Sequence, residues 1–229
     1  MKKPDTLPHA KKVELRLKGI YNRLIQNFGP QNWWPGESAF EVMVGAILTQ
    51  NTAWSNVEKA ITNLKTEKLL EPERLACFPK EKLALLIKPA GYYNLKADRL
   101  MNLINLIMTD DGGDPPLLLK RPPEQLRQDL LKVKGIGPET ADSILLYAAG
   151  YPVFVIDAYT RRILGRHRLA EGNESYEDLQ KLFMENLPHD PILYNEYHAL
   201  LVHLGKHFCK PTPICDGCPL EELEAEPAF

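Results

Sequence analysis

The run Val133-Lys134-Gly135-Ile136-Gly137-Pro138-Glu139-Thr140-Ala141-Asp142, with Asp157 fifteen residues beyond Asp142, decides how this chain is read. Two glycines flank one apolar residue, and Pro138 then opens an amphipathic run from Thr140 to Ala149. Glycine accepts a tight hairpin and lets a ligand approach the backbone. Proline in a first helical turn has no N–H to leave unpaired. The free N–H groups of such a turn and helix start form a site for anions such as phosphate. Downstream, Tyr151-Pro-Val-Phe-Val-Ile-Asp157-Ala-Tyr-Thr-Arg-Arg is an apolar run that delivers one carboxylate to the start of another helix. A phosphate-gripping hairpin together with an isolated acid points to chemistry on a nucleic acid.

Outward from this stretch the periodicity is helical. Val13, Leu15, Leu17, Ile20, Tyr21, Leu24, Ile25 and Phe28 lie on one helical face,. Ser38 has the chemistry to cap a helix reaching Leu48,. Further helices are expected near 54–65, 80–88, 94–109, 124–132, 138–149, 158–167, 175–186 and 192–207. Gly29-Pro30, Pro35-Gly36, Pro79, Pro89, Asp110 to Pro116, Pro122-Pro123 and Gly150 read as the breaks between them,. Val153 to Ile156 is short enough to be an apolar connector, and no useful length shows strand alternation. The expected fold class is all-α.

The 229 residues, 44% hydrophobic, suffice for one large or two small domains,. A net charge of −2 excludes a molecule that is basic overall, so any DNA contact must come from a local patch and backbone amides. The N-terminal Met1 to Ala10 has no apolar core of signal-peptide length, and no stretch approaches the roughly eighteen apolar residues of a membrane span. Cys77 stands alone, while Cys209, Cys215 and Cys218 cluster near the C-terminus, which is not a secreted disulfide framework,. A cytoplasmic, monomeric protein without membrane contact is expected. Cys77 reads as a buried apolar residue. Lys206-His207, Arg161-Arg162 and Arg166-His167-Arg168 read either as DNA-facing charges or as ordinary solvated pairs.

Gly-Ile-Gly-Pro-Glu-Thr-Ala-Asp followed by Val-Ile-Asp resembles the helix-hairpin-helix and catalytic-acid motif of the endonuclease III superfamily of DNA glycosylases. Ala46-Ile-Leu-Thr-Gln-Asn-Thr52, Ile87-Lys-Pro-Ala-Gly-Tyr-Tyr-Asn-Leu-Lys-Ala97 and the Cys-rich tail match in the same order, over roughly residues 12 to 220. The Trp33-Trp34-Pro35 run resembles, more narrowly, the bacterial 3-methyladenine branch. The resemblance implies two helical domains with a cleft between them. One, residues 31–151, would be a six-helix bundle containing the hairpin. The other would join 1–30 to 152–229, and Asp157 would lie at the cleft.

The resemblance also implies roles for single residues. Asp157 would stabilise positive charge developing on the deoxyribose or activate water, although an acid at a helix start is also a cap. Glu139 occupies the position at which bifunctional relatives carry a Schiff-base lysine, and a carboxylate has no amine to condense with an aldehyde. Lys134, Gly135 and Gly137 would meet phosphate, with a sodium or potassium ion on the hairpin carbonyls. Gln50 would fill the gap left by a flipped-out base. Trp33, Trp34, Pro35 and Trp54 would line the base pocket, where aromatic faces attract an N3-alkylated, cationic adenine.

Related glycosylases hold a [4Fe-4S] cluster on four cysteines. Here Cys209, Cys215 and Cys218 supply three, and Glu224 stands near the fourth place. A zinc ion on three Cys with His203 or His207 and a metal-free tail are the alternatives. The function expected is therefore monofunctional excision of alkylated purines, chiefly 3-methyladenine, from damaged double-stranded DNA, with no cofactor needed for the chemistry. A glycosylase/lyase for oxidised pyrimidines and a non-enzymatic DNA-structure-binding module are the competing readings.

Overall fold

The computed structural model describes residues 8–221 and residue 223. The leader reading of the first seven residues and the position of Glu224 lie outside this range. In chain order the helices are α1 (His9–Phe28), α2 (Ala39–Leu48), α3 (Trp54–Thr66), α4 (Pro72–Ala76), α5 (Lys80–Leu86) and α6 (Tyr93–Asp110). They continue as α7 (Pro115–Leu119), α8 (Pro123–Lys132), α9 (Pro138–Ser143), α10 (Ala158–Arg166), α11 (Tyr176–Met184) and α12 (Pro191–His207). A 3₁₀ turn spans Lys88–Ala90, and α9 widens into a π turn over Ile144–Ala148. No strand occurs among the described residues. No helix among them is long and apolar enough to cross a membrane.

The all-α class stands, with two local corrections. Two prolines read as breaks, Pro115 and Pro123, are helix starts, and like Pro72 and Pro191 they sit in first turns, where the missing N–H costs nothing,. The α7 segment was hidden for that reason. The single helix expected over 138–149 is six α-helical residues followed by the π turn.

The chain divides into two compact units, Met1–Trp33 with Pro152–Phe229, and Trp34–Tyr151. In the first, Phe154 stacks flat on Phe183 with centroids 3.7 Å apart and meets Tyr194 and Tyr197 edge-on. The Tyr197 hydroxyl donates to Leu17 O at 2.8 Å, joining α12 to α1. Gly205 lets α10 close on α12, because a Cβ there would come within 2.4 Å of the Tyr159 ring. In the second unit α2 is the central helix, buried from Phe40 to Leu48. It is apolar on every side and so needs neighbours all round, which α3, α6, α7, α9 and the π turn provide.

The two helices of the hairpin, α8 and α9, are joined by a buried ion pair. Arg127 Nε donates to Asp142 Oδ1 at 2.7 Å and Nη2 to Oδ2 at 3.2 Å, and the Asp142 carboxylate has no exposure. Arg127→Leu removes the guanidinium from a fully buried carboxylate. The unfolding free energy should fall by about 3–5 kcal/mol, read as a lower urea midpoint at unchanged slope. An unchanged midpoint means that the pair does not hold the hairpin.

Candidate functional site

The hairpin between α8 and α9 turns as the glycines suggested, each for its own reason. Gly135 has φ +100°, and a Cβ there would overlap Arg99 Cγ. Gly137 has an ordinary extended backbone with nothing within 4 Å of a would-be Cβ, so no protein contact demands glycine and its backbone faces open space. Ile136 is buried and its N–H returns to Val133 O at 3.0 Å. Lys134 and Glu139 are exposed, with Glu139 in the first turn of α9, where an acid suits the dipole,. The Lys134 carbonyl accepts from Asn102 Nδ2 at 2.9 Å.

Gln50, in the loop after α2, is not projecting into solvent. Its Nε2 donates to Gly135 O at 3.1 Å and to Thr140 Oγ1 at 2.9 Å, while Oε1 accepts from Arg99 Nη1. The amide is thus committed to the hairpin, and the loop's exposed residues are Asn51, at φ +53°, and Ala53. Under the loop lies Lys96, 1% exposed, whose ammonium donates to Leu48 O at 2.9 Å and Ala90 O at 2.7 Å. Burial, then the nearby Arg99 charge, pull the Lys96 amine down to about 8.

Three of the four expected pocket residues come together. Trp34 meets Trp54 edge-on at 4.9 Å and Tyr147 at 5.1 Å, and its ring lies against Gly45, where a Cβ would come within 3.1 Å. A cavity of about 160 Å³ is bounded by Trp34, Pro35 and Trp54 with Glu41, Glu58 and Lys65 among the other walls. Trp33 is not on its wall. It falls in the first unit, with the Lys206 ammonium 5.8 Å from its ring.

Asp157 caps α10: its Oδ1 accepts from Thr160 N at 2.7 Å. Its Oδ2 lies 3.8 Å from His198 Nε2 on α12. Burial pushes the His198 imidazole below its usual range and Asp157 opposes this. The connector before Asp157 is fixed by the Phe154 stack and by Gln180 Nε2 donating to Phe154 O at 2.7 Å. The carboxylate is mostly buried, its side chain 12% exposed, with one oxygen tied to the helix start and the other facing His198.

The arginines of α10 correct another expectation. Arg162 donates to Cys209 O at 2.7 Å and Gly205 O at 3.3 Å, Arg166 to Lys210 O and Pro211 O, and Arg161 to Glu174 O. Arg162 and Arg166 thus bind the tail of the first unit, and Arg161 the loop before α11. His167 is buried, and its carbonyl accepts from Arg16. Arg166 also donates to the buried Cys209 Sγ at 3.2 Å, and burial raises the Cys218 thiol, which disfavours the thiolate a metal needs,. Among the described residues no group of three His, Cys, Asp or Glu is arranged to hold a metal. Cys209, Cys215 and Cys218 as they stand do not fit a four-thiolate cube. His203 engages Gln31 and stacks near His207. Cys77 is exposed, not buried, because it lies at the end of the short α4.

Sequence reasoning missed Lys96, Arg99, Tyr92, Glu58 and His198. Lys96 falls on the same stripe of α6 as Leu100, Leu103 and Ile107, so helical spacing alone marks it as buried. Tyr92, 69% exposed in a left-handed conformation, precedes the same helix. The Lys96 amine titrates lower in the folded chain than its ordinary 10.5, so between pH 8 and 10.5 the unfolded chain binds more protons and stability rises with pH. Compared with Lys96→Met, the wild type should gain unfolding free energy from pH 8 to 10.5. Parallel urea profiles for the two proteins across that range are the contrary result.

A family model described as HhH-GPD superfamily base excision DNA repair protein matches residues 44–189. The chain is 47% identical over 206 residues to a provisionally named DNA repair glycosylase of Methanocaldococcus jannaschii, covering 89% of this chain and 93% of the relative. Endonuclease III of Thermotoga maritima is 33% identical over 186 residues, 80% of each chain. The crystal structure of H. pylori 3-methyladenine DNA glycosylase bound to 1,N6-ethenoadenine matches with TM-score 0.70 and 30% identity, over 86% of this chain and 97% of that one. With its glycine hairpin, capped Asp157 and these relatives, the chain belongs to the HhH-GPD superfamily of base excision DNA repair proteins.

Proposed function

We propose that this protein is a monofunctional DNA glycosylase that removes alkylated purines, chiefly 3-methyladenine, from duplex DNA and leaves an abasic site. The observation that carries the reading is the aromatic cavity of Trp34, Pro35 and Trp54. An alkylated purine nucleotide of this kind is cationic, and indole faces attract cations by about 0.5–2 kcal/mol. Such a base is already a good leaving group, so the site must mainly hold it extrahelical and stabilise the sugar. As the C1′–N bond breaks, its electron pair leaves with the base and positive charge develops on the deoxyribose. Asp157 Oδ2 opposes that charge and accepts a proton from the attacking water, while Oδ1 stays on Thr160 N,.

The hairpin amides about Gly137 meet a backbone phosphate, assisted by Lys134. A monovalent cation on the hairpin carbonyls belongs to the same proposal. The loop carrying Gln50 fills the vacated stack. Glu139, without an amine, supports hydrolysis rather than covalent strand cleavage. The steps use only side chains of this chain, and none passes through the cysteine tail.

Purified protein incubated with duplexes carrying 3-methyladenine should release base, yet leave the strand intact until alkali is added, and borohydride should trap no covalent adduct. Efficient trapping overturns the monofunctional reading. Asp157→Asn should lose about 2.7–4 kcal/mol of transition-state stabilisation while still binding abasic DNA. Undiminished excision by that variant reduces Asp157 to a helix cap.

A further inference from the structure

Trp54 Nε1 donates to Glu58 Oε1 at 2.8 Å, one turn along α3. That bond fixes the indole plane that meets Trp34 edge-on at 4.9 Å. Glu58 differs from the other carboxylate on the cavity wall. Glu41 is buried and its charge is answered by Lys65 at 2.9 Å, which also pairs with Glu37 at 2.8 Å. Among the described residues no cation lies within ion-pair distance of Glu58, whose side-chain bond is the one from Trp54. An anion accepting from the indole N–H also pushes electron density onto the ring face, which strengthens its attraction for a cation.

We infer that Glu58 is a specificity-determining residue: through Trp54 it orients the indole, and by its unanswered charge it makes the cavity prefer cationic N-alkylated purines over neutral lesions of similar shape. The inference rests on the aromatic cavity being the base pocket. Glu58 acts through Trp54 and through its field, and takes no part in bond cleavage.

The test is single-turnover excision of 7-methylguanine and 3-methyladenine, both cationic in DNA, against neutral 1,N6-ethenoadenine. Glu58→Gln keeps an acceptor for the indole and removes the charge. It should slow both cationic substrates about tenfold and change the ethenoadenine rate less than about twofold. Trp54→Phe keeps a ring but loses the N–H, and should erode the same preference. Glu37→Gln removes an equal charge away from the cavity wall and should leave the preference intact. Melting curves confirm that each variant is folded. Equal losses on cationic and neutral lesions, or none, for Glu58→Gln sink the inference while leaving the pocket reading in place. A wild-type protein that excises none of these purines sinks the pocket reading and the inference with it.

Discussion

Lys96 places its ammonium where two helical segments run out of hydrogen bonds, at Leu48 O ending α2 and Ala90 O ending the 3₁₀ turn. Carbonyls at helix ends carry partial negative charge, so one cation answers two C-termini at once. The loops that leave those termini, one carrying Gln50 and Asn51 and the other Tyr92, therefore start from a common anchor. The depressed amine reflects what that arrangement costs: burial works against the charge, and among the described residues no carboxylate shares the site. The Gln50 loop, the Tyr92 loop and the hairpin thus hang from this one buried cation or from the Arg127–Asp142 pair beneath the hairpin.

The first unit solves a related problem with aromatic mass. Phe154 is locked between Phe183, Tyr194 and Tyr197, so the connector it belongs to cannot slide, and Asp157 three residues on has a fixed exit. Capping does not preclude the electrostatic role proposed for this carboxylate. The cap on Thr160 N holds one oxygen still, and preorganisation of that kind makes a charge effective against a developing cation. The α10 arginines extend the scheme, spending their donors on backbone carbonyls of the tail and tying the helix that begins at Asp157 to the segment from Gly205 to Pro211.

Much of this was legible in the sequence because local rules decided it. Gly135, Pro138 and the Ser38 cap follow from backbone chemistry at single positions, and the long helices follow from apolar spacing. What stayed hidden depended on distant partners. Prolines were read as stops because proline stops and starts are alike in sequence until the flanking turn is known. Gln50 looked free because its three partners lie 49 to 90 residues away. The α10 arginines read either as DNA-facing charges or as solvated pairs because charge in sequence does not reveal which carbonyls lie within reach. Trp33 and Trp34, adjacent in the chain, are divided between the two units. Besides the apolar stripe that marks Lys96, Glu58 gave a usable signal: an acid four residues after a tryptophan on a helix lies one turn away, within reach of the indole.

The tie between Gln50 and the hairpin has a thermodynamic corollary. Withdrawing that amide breaks three hydrogen bonds, each of about 0.5–1.5 kcal/mol, with the Arg99 bond toward the stronger, charge-assisted range. Loop and hairpin are therefore not independent binding elements but two faces of one equilibrium. Whatever distorts the Gly135 carbonyl or Thr140 eases the loop's release, and whatever draws the loop outward loosens the hairpin by the same free energy. The glutamine thus serves as a latch whose stiffness is set 85 residues downstream, at the carbonyl of a glycine.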